Sequence, residues 1–312
     1  MAPDRLRVAV VGVGHLGRHH ARLLASMEGV ELTAVADIVP ARAAEVAAAY
    51  GTAAVEDAGS LLGQVDAVVV AVPTADHADV AVPFLDAGMP VLVEKPISRS
   101  IEDAERMLAA ARSSGAILAA GHTERHNPAV RAAMHLVTAP RFIEVHRLSA
   151  FPDRSLDIDV IFDLMIHDLD IILAIVSSEV VSIEAVGVPV LTPRYDIANV
   201  RLRFATGCIA NITASRISRD RVRKIRFFQP DLYVSVDYAS QEVERYCLVR
   251  REPKPQIQGG AVPVERDEPL RLELADFVQA VRSGGAPAVD GEAGLRALDL
   301  AARIAERMES VV

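Results

Sequence analysis

The chain has 312 residues, of which 51% are hydrophobic and 24% charged, and its formal net charge at pH 7 is −9. This length accommodates two domains, and the acidic balance argues against nucleic acid as a partner, because phosphate-backbone binding requires a basic surface. The two cysteines, Cys208 and Cys247, form no CxxC motif, so we expect neither a zinc site nor a disulfide framework, and a reducing cytoplasm is the predicted location. No apolar run reaches the roughly 18 residues of a membrane span, and the N-terminal stretch lacks a signal-peptide pattern, so no membrane partner is expected.

Apolar strand-like runs and helical segments alternate through the first part of the chain. The runs are continuous, as in strands buried on both faces of a parallel sheet, and lie at 6–11, 30–36, 66–73, 90–96 and 116–122. The intervening helices are predicted at 15–27, 40–49, 77–88 and 100–113. This alternation predicts a doubly wound α/β domain of the Rossmann type over residues 1–122.

After residue 140 the pattern changes to alternating apolar and polar residues, which is typical of antiparallel strands with two unlike faces. Strands are predicted at 141–150, 180–191, 197–205, 208–218, 222–229, 231–238 and 241–250. Residues 251–269 are rich in Pro, Gly and charge and predict a loop or lid, and two helices follow at 270–283 and 291–310. Residues 123–312 are therefore predicted to form an α+β domain with a large, open, mostly antiparallel sheet, whose last helix could pack back on the Rossmann domain.

The first predicted strand runs directly into a GxGxxG motif. Between a strand and a helix this motif is typical of a dinucleotide pyrophosphate site, where glycines allow a tight turn and the helix N-terminus supplies amide donors. Asp37, at the end of the second strand, is placed to hold the ribose hydroxyls, which favours NAD, while Arg42 keeps NADP open as the alternative. The motif residues expected to line the cofactor are Gly12, Gly14, His15, Leu16 and Gly17.

Ligands of a doubly wound sheet bind at the carboxyl ends of its strands. The further cofactor-lining residues predicted there are Val72, Pro73, Thr74, His77, Glu94 and Lys95. An ammonium group beside a nicotinamide can polarise a substrate oxygen, so Lys95 is a candidate for the chemistry. The alternative is a surface lysine paired with Glu94.

The segment FDLMIHDLD, residues 162–170, predicts an apolar helix that carries ionisable side chains. On a helical wheel Asp163, His167 and Asp170 fall within about 60°, whereas Asp168 points elsewhere. Burying such groups without partners is costly, so they either satisfy one another in the core or line a cleft. Carboxylates and a histidine could also bind a divalent ion, but no other ligand motif accompanies them and no metal is predicted.

Three motifs in this order resemble the glucose–fructose oxidoreductase, inositol dehydrogenase and rhizopine-catabolism (Gfo/Idh/MocA) family, and the resemblance extends along nearly the whole chain. They are the glycine motif, Glu94-Lys95-Pro96, and Asp163-x3-His167. The resemblance implies that Lys95, His167 and Asp163 are catalytic, with the lysine and histidine as the acid/base pair and the aspartate holding the histidine or the sugar. We expect His167 to take the hydroxyl proton and Lys95 to stabilise the developing charge; the reverse assignment is equally open.

Within that family, GHTERHNPAV (121–130) and DLMIHDLDIIL (163–173) are similar to the dehydrogenases that act on C3 of UDP-N-acetylglucosamine. The resemblance implies NAD-dependent oxidation of that hydroxyl to a 3-keto sugar, which would supply a 3-aminotransferase in lipid A or surface-glycan synthesis. An inositol or free-sugar dehydrogenase and a non-catalytic NAD-binding regulator are the alternatives. The substrate-binding residues implied are Lys95, Arg125, Asn127, Arg154, Asp163 and His167.

Several of these polar residues also have a structural interpretation. Arg125 and Asn127 could belong to a hydrogen-bonded crossover between the domains, and Arg154 could be exposed to solvent. A basic cluster at 216–223 could meet a nucleotide or pair with acids at a subunit contact. The resemblance further implies a homodimer or homotetramer assembled through the second-domain sheet.

Overall fold

The computed structural model describes residues 5–151, 158–251 and 254–309. The chain divides into two compact units, the first built from 1–122 and 270–295 and the second from 123–269 and 296–312. The prediction of a Rossmann fold and an α+β domain with a large, mostly antiparallel sheet is confirmed. Among the helices of the described ranges we find none with the length and apolar character that a membrane crossing requires.

The described residues form strands in both units. The strands are β1 (Leu6–Val11), β2 (Val30–Ala36), β3 (Ala53–Val55), β4 (Ala67–Val70), β5 (Val91–Glu94), β6 (Leu118–Gly121), β7 (Phe142–Leu148), β8 (Val180–Val188), β9 (Ile197–Phe204), β10 (Ile209–Ser215), β11 (Val222–Gln229), β12 (Leu232–Asp237), β13 (Glu242–Val249) and β14 (Gln256–Val262).

Helices connect these strands and follow the last of them. The α-helices are α1 (Gly17–Ser26), α2 (Pro40–Tyr50), α3 (His77–Asp86), α4 (Ile101–Ser114), α5 (Pro128–Leu136), α6 (Ile166–Ile175), α7 (Pro269–Ser283) and α8 (Gly291–Glu309). Short 3-10 turns lie at Ala58–Leu61, Thr74–Asp76 and Thr123–His126, and a π-helical turn lies at Ile161–Met165.

The first unit contains a six-stranded parallel sheet in the order β3-β2-β1-β4-β5-β6. Its central strands β1 and β4 are built mainly of Val and Ala and are buried along most of their length, as expected for strands covered on both faces. The strand order reverses between β1 and β4, so their carboxyl ends form the crevice where such sheets bind ligands. Helix α7 packs in the same core through Leu274, Phe277 and Val278.

The second unit contains an eight-stranded sheet in the order β14-β13-β12-β11-β7-β10-β9-β8, antiparallel except for the β7–β10 pair. Its inner face packs against α5, α6 and most of α8 in one core, to which α8 contributes Ala297, Leu300, Ala301, Ile304 and Met308. The helix that returns to the first unit is therefore α7, with only residues 291–295 of the last helix.

The expectation of a loop or lid over 251–269 is wrong for its central part, where β14 pairs with β13 along its whole length. Glycine and proline indicated a loop, but an edge strand tolerates both. Gly259 lies opposite Tyr246, and a side chain at Gly259 would collide with the backbone of Arg245. Glycine is required at this position because the backbone of β13 approaches closely, and not because the chain must be flexible there.

The basic cluster at 216–223 is not a uniform charged surface, because Arg216 is fully buried. Its Nε atom donates to Asp196 Oδ1 at 2.9 Å and its Nη1 atom donates to the Ile158 carbonyl at 2.7 Å, just before the π-helical turn. A nucleotide contact by Arg216 is therefore excluded. The exposed members of the cluster are Arg219, Arg221 and Arg223.

Asp196 is the partner that makes burial of Arg216 tolerable. Burial alone would raise the pKa of the Asp196 carboxyl, but the amides of Leu191 and Thr192 and the Arg216 guanidinium outweigh it and hold that pKa well below its ordinary value. The pair ties the loop before β9 to the end of β10 and to the backbone that leads into α6.

We predict that Asp196→Asn lowers the free energy of unfolding at pH 7 by about 3–5 kcal/mol, because Arg216 would keep a buried charge without its carboxylate. Urea titration followed by circular dichroism measures this change. Arg219→Met is the matched control, since this exposed arginine should contribute less than about 0.5 kcal/mol.

The same pair predicts a pH dependence. The pKa of the Asp196 carboxyl is lower in the folded state than in the unfolded chain. Its ionised form therefore stabilises the fold fully at pH values above the ordinary carboxyl pKa of about 4. This contribution to stability declines as the pH falls from there through the folded-state pKa. The stability difference between the wild type and Asp196→Asn should be constant from about pH 6 to 8 and shrink below about pH 4. A difference that stays the same down to about pH 3 would contradict an ionised Asp196 in the folded state.

Candidate cofactor and catalytic site

The glycine motif forms the turn between β1 and α1. Gly12 has a φ of 81°, and a Cβ there would lie 2.7 Å from the Val72 amide nitrogen. A Cβ at Gly17 would collide with the Gly12 carbonyl, so these two glycines allow close packing. By contrast, no heavy atom lies within 4 Å of a Cβ built at Gly14, which leaves space at the position where a pyrophosphate would approach the backbone.

The N-terminus of α1 provides the electrostatic complement to that space. Leu16 occupies the N-cap position without a side-chain capping bond, and the first turn carries no acidic residue. A helix N-terminus of this kind favours an anion, because its backbone amides and its dipole point toward the ligand. The predicted contacts of His15 and Leu16 lie in this turn, and the residues fit a dinucleotide.

Asp37 lies buried at the end of β2 and connects the glycine turn to the next loop. Its Oδ2 atom accepts the Val13 amide at 3.0 Å and its Oδ1 atom accepts the Val39 amide at 2.9 Å. Arg42 Nη1 lies 3.2 Å from both carboxylate oxygens. Arg42 is thus paired with the carboxylate, and a 2′-phosphate would meet the negative charge of Asp37, so the geometry favours NAD.

His77 connects two strand-end loops of the first unit. Its Nε2 atom lies 3.0 Å from the Val72 carbonyl, and its Nδ1 atom lies 3.0 Å from the Pro96 carbonyl. Burial lowers the pKa of His77 even though these carbonyls favour the protonated ring. Both ring nitrogens face backbone carbonyls, so the cofactor contact predicted for His77 stays a prediction. Pro73 and Thr74 lead into the 3-10 turn that precedes α3.

Glu94 and Lys95 stand at the carboxyl end of β5. The Glu94 carboxylate is buried, with Oε1 at 2.7 Å from His20 Nε2 and Oε2 accepting the Lys95 amide at 3.1 Å. Burial alone would raise the pKa of Glu94, but His20 and Lys95 outweigh it and lower that pKa. The Lys95-Pro96 peptide bond is cis.

The helix predicted over 162–170 begins with the π-helical turn and continues as α6. Its four ionisable residues fall into two pairs, because Asp168 and Asp170 are almost fully buried whereas Asp163 and His167 are partly exposed. His167 and Asp170 both lie within α6, where the α-helical wheel applies, but Asp170 is buried and His167 is partly exposed. Only Asp163 lies in the π-helical turn, which changes its angular position relative to α6.

Each of the two buried aspartates is held by an arginine. Arg147 from β7 donates to Asp168 through Nε at 2.6 Å and through Nη2 at 3.0 Å. Arg125 donates to Asp170 through Nε at 2.8 Å and through Nη2 at 2.6 Å. Bidentate pairs of this kind are strong and directional, so they fix α6. The partly exposed ionisable groups are then His167 on α6 and Asp163 in the preceding turn.

The Arg147 pair belongs to a larger buried network. Burial opposes the charge of Arg147, but Asp168 and Glu124 outweigh it and raise the pKa of its guanidinium above the ordinary value. Glu124 Oε1 lies 3.2 Å from Arg147 Nη1, and the guanidinium carbon lies 5.1 Å from the centroid of the Tyr238 ring. This network was not predicted, because β7 and α6 are separated along the chain and no local pattern pairs them.

The substrate residues predicted around 125–127 make structural contacts. Arg125 directs its donors to Asp170, and Asn127 accepts the Ala129 amide as N-cap of α5 while donating to the Tyr238 carbonyl. Their substrate contacts stay predictions. Arg154 lies outside the described residues.

Among the described residues, one group of three side chains has the spacing of possible metal ligands, and it is not the one considered on α6. Oxygen and nitrogen atoms of His20, Glu94 and Glu273 lie within 4.8 Å of one another, and all three residues are buried. No sequence signal indicated His20 or Glu273, since each is a single polar residue on an apolar helix face.

Comparison with known proteins agrees with this arrangement. Residues 6–122 match the model of the GFO/IDH/MocA oxidoreductase family with an NAD-binding Rossmann fold, and residues 130–230 match the GFO/IDH/MocA C-terminal domain. The chain is 37% identical over 308 residues to UDP-N-acetylglucosamine 3-dehydrogenase of Acidithiobacillus ferrooxidans, covering 98% of both chains. It is 28% identical to inositol 2-dehydrogenase of Rhizobium meliloti, covering 95% of this chain and 94% of that protein.

Solved structures give the same result. The structure of UDP-N-acetylglucosamine 3-dehydrogenase GnnA from Acidithiobacillus ferrooxidans superposes with a TM-score of 0.92, covering 98% of each chain. Levoglucosan dehydrogenase in complex with NADH and levoglucosan gives 0.88 over 98% of each chain at 18% identity, a likeness of fold. The chain therefore belongs to the Gfo/Idh/MocA family of oxidoreductases, with NAD as its cofactor.

Proposed function

We propose that this protein oxidises the C3 hydroxyl of UDP-N-acetylglucosamine to the 3-keto sugar, with NAD as the acceptor. The observation that carries the proposal is the full-length similarity to the Acidithiobacillus ferrooxidans dehydrogenase, 37% identity against 28% for the inositol 2-dehydrogenase. The reaction consumes one alcohol and one NAD⁺ and yields one ketone, one NADH and one proton. NAD supplies the hydride acceptor when it is bound.

The roles of the protein side chains follow from the chemistry of a secondary alcohol. His167, partly exposed on α6, accepts the hydroxyl proton, since an imidazole titrates near neutral pH. Lys95 stabilises the charge that develops on the oxygen, and Asp163 holds the histidine or the sugar. The Arg125–Asp170 and Arg147–Asp168 pairs support these roles indirectly, because they fix the helix that carries His167.

The same proposal assigns the reaction to one step of a biosynthetic sequence. The 3-keto product is the substrate that a 3-aminotransferase requires, so the enzyme would supply such a transferase in lipid A or surface-glycan synthesis. We also propose a cytoplasmic location, which agrees with two cysteines present as free thiols.

We further propose that the protein is a homodimer or homotetramer joined through the eight-stranded sheet. The supporting feature is a row of aromatic side chains that crosses four neighbouring strands, formed by Phe142, Phe228, Tyr233 and Tyr246. Successive ring centroids lie 5.5, 5.1 and 6.3 Å apart. Phe228 and Tyr246 are 36% and 37% exposed, and aromatic rows of this kind are enriched at interfaces between subunits.

The substrate proposal predicts the outcome of a single-turnover assay. Near-stoichiometric protein with NAD and a carbonyl trap should reduce NAD with UDP-N-acetylglucosamine and not with UDP-glucose, UDP-N-acetylglucosaminuronic acid or myo-inositol. The absorbance of NADH, recorded with each substrate separately, measures the extent of NAD reduction. Reduction with myo-inositol and not with the nucleotide sugar would replace the proposal with the inositol alternative, and tight NAD binding without any reduction would favour the regulator.

The catalytic assignment predicts that Lys95→Met and His167→Asn each lower kcat by about 10²–10⁴-fold, because each removes one partner of the proton transfer. His167→Asn should bind NAD as the wild type does, which isothermal titration calorimetry measures, and the same measurement on Lys95→Met tests the cofactor contact predicted for Lys95. The matched controls outside the predicted site are Lys224→Met, at a partly exposed lysine paired with Asp237, and His135→Asn, at an exposed histidine. Full turnover by His167→Asn would contradict its role as the base.

The assembly proposal predicts that Tyr233→Lys weakens self-association by at least about tenfold, since a charge replaces an aromatic anchor. Sedimentation velocity over a range of protein concentrations measures the change. Tyr50→Lys, on the exposed end of α2, is the control and should associate as the wild type does. Unchanged association of the Tyr233 variant would show that another surface joins the subunits.

A further inference from the structure

A buried cluster of three ionisable side chains in the first unit includes Glu94, the residue that precedes Lys95. His20 comes from α1, Glu94 from the end of β5 and Glu273 from α7, and their exposed fractions are 0%, 4% and 2%. Their oxygen and nitrogen atoms lie within 4.8 Å of one another. A buried carboxylate requires specific partners, so the contacts of Glu94 decide what the cluster does.

Both oxygens of Glu94 are engaged, and one of them faces the lysine residue. Oε1 is 2.7 Å from His20 Nε2, and Oε2 accepts the backbone amide of Lys95 at 3.1 Å. Within the described residues, His20 Nδ1 has no hydrogen-bond partner, so the ring is oriented through Nε2 alone. The carboxylate thus joins the helix of the glycine motif to the residue predicted to stabilise the substrate oxygen.

The loop that carries Lys95 is also held from its other side. His77 Nδ1 lies 3.0 Å from the Pro96 carbonyl, and His77 Nε2 lies 3.0 Å from the Val72 carbonyl at the end of β4. The charged and titratable groups facing Glu94 are therefore His20, Glu273, His77 and Lys95. Of these, Lys95 is the residue whose backbone amide the Glu94 carboxylate holds.

We propose that His20 is a positioning residue that acts on Lys95 through Glu94. By donating from Nε2, His20 keeps the Glu94 carboxylate in the place where it binds the Lys95 backbone amide. Loss of that donor leaves the carboxylate without its side-chain partner, and the Lys95 backbone then loses a fixed anchor. The inference deepens the proposed function, because it rests on Lys95 taking part in the reaction.

The test uses two amide substitutions that differ in where the donor lies. Glutamine can place an amide nitrogen near the position of Nε2, whereas asparagine reaches only as far as Nδ1. We expect His20→Asn to lower kcat by about tenfold or more, because displacing a reacting group by about 1 Å can cost far more. His20→Gln should stay within about threefold of the wild type, and both variants should bind NAD within about threefold of its affinity.

A second readout needs no substrate, so it separates this inference from the proposed function. The chain contains three lysines, Lys95, Lys224 and Lys254. Brief acetylation with acetic anhydride at about pH 8 modifies neutral amines, and mass spectrometry gives the ratio of modified Lys95 to modified Lys224. His20→Asn and Glu94→Gln should each change this ratio by about threefold or more, since both weaken the contact that holds the Lys95 backbone amide, and His20→Gln should leave the ratio unchanged.

The double variant tests whether His20 acts through Glu94. If it does, His20→Asn combined with Glu94→Gln should give the same labelling ratio as Glu94→Gln alone. Additive effects, or an unchanged ratio in folded His20→Asn, would overturn the proposal. Glu94→Gln leaves His20 in place, so an unchanged ratio in that variant would overturn it even if the His20→Asn protein failed to fold. Absence of turnover with every sugar, together with the expected labelling ratios, would refute the proposed function alone.

Discussion

The Asp37 carboxylate is buried at the end of β2, where it accepts the Val13 amide of the glycine turn and the Val39 amide of the next loop. The same arrangement recurs behind Lys95, where buried Glu94 accepts a backbone amide and meets a side-chain donor. A buried carboxylate is stable only when specific donors surround it. In the first unit this requirement fixes the loops at the ends of β1, β2 and β5, which are the loops predicted to hold the cofactor.

In the second unit, the requirement that buried carboxylates have specific donors fixes a helix. Asp168 and Asp170 are paired with Arg147 and Arg125, so the segment that looked like one ionisable stripe is divided into structural and accessible groups. Arg216 and Asp196 then attach the chain just before that helix to the sheet. Asp163 and His167, which are partly exposed, therefore lie on a segment that is held in a fixed position. A side chain that transfers a proton requires such fixed positioning.

The sequence was sufficient for the features that depend on local patterns. Apolar runs located five of the six parallel strands and missed the short edge strand β3, and the glycine motif, Glu94-Lys95-Pro96 and Asp163-x3-His167 indicated the family and the cofactor. It was insufficient where the reason for a residue lies in another part of the fold. Gly259 appeared to belong to a loop because its neighbour on β13 was unknown, and Arg216 appeared to be part of a basic surface because its partner Asp196 could not be identified. His20 gave no signal at all, since a histidine on an apolar helix face has no local pattern that reveals a carboxylate from β5.

In the proposed reaction, hydride leaves C3 of a UDP-linked amino sugar for NAD. The most direct test uses UDP-N-acetylglucosamine that carries deuterium at C3 only, with the single-turnover product NADH analysed by mass spectrometry. We predict NADH that carries the deuterium, together with a slower reduction than with the unlabelled sugar. NADH formed without deuterium would show that the hydride comes from another carbon and would contradict oxidation at C3.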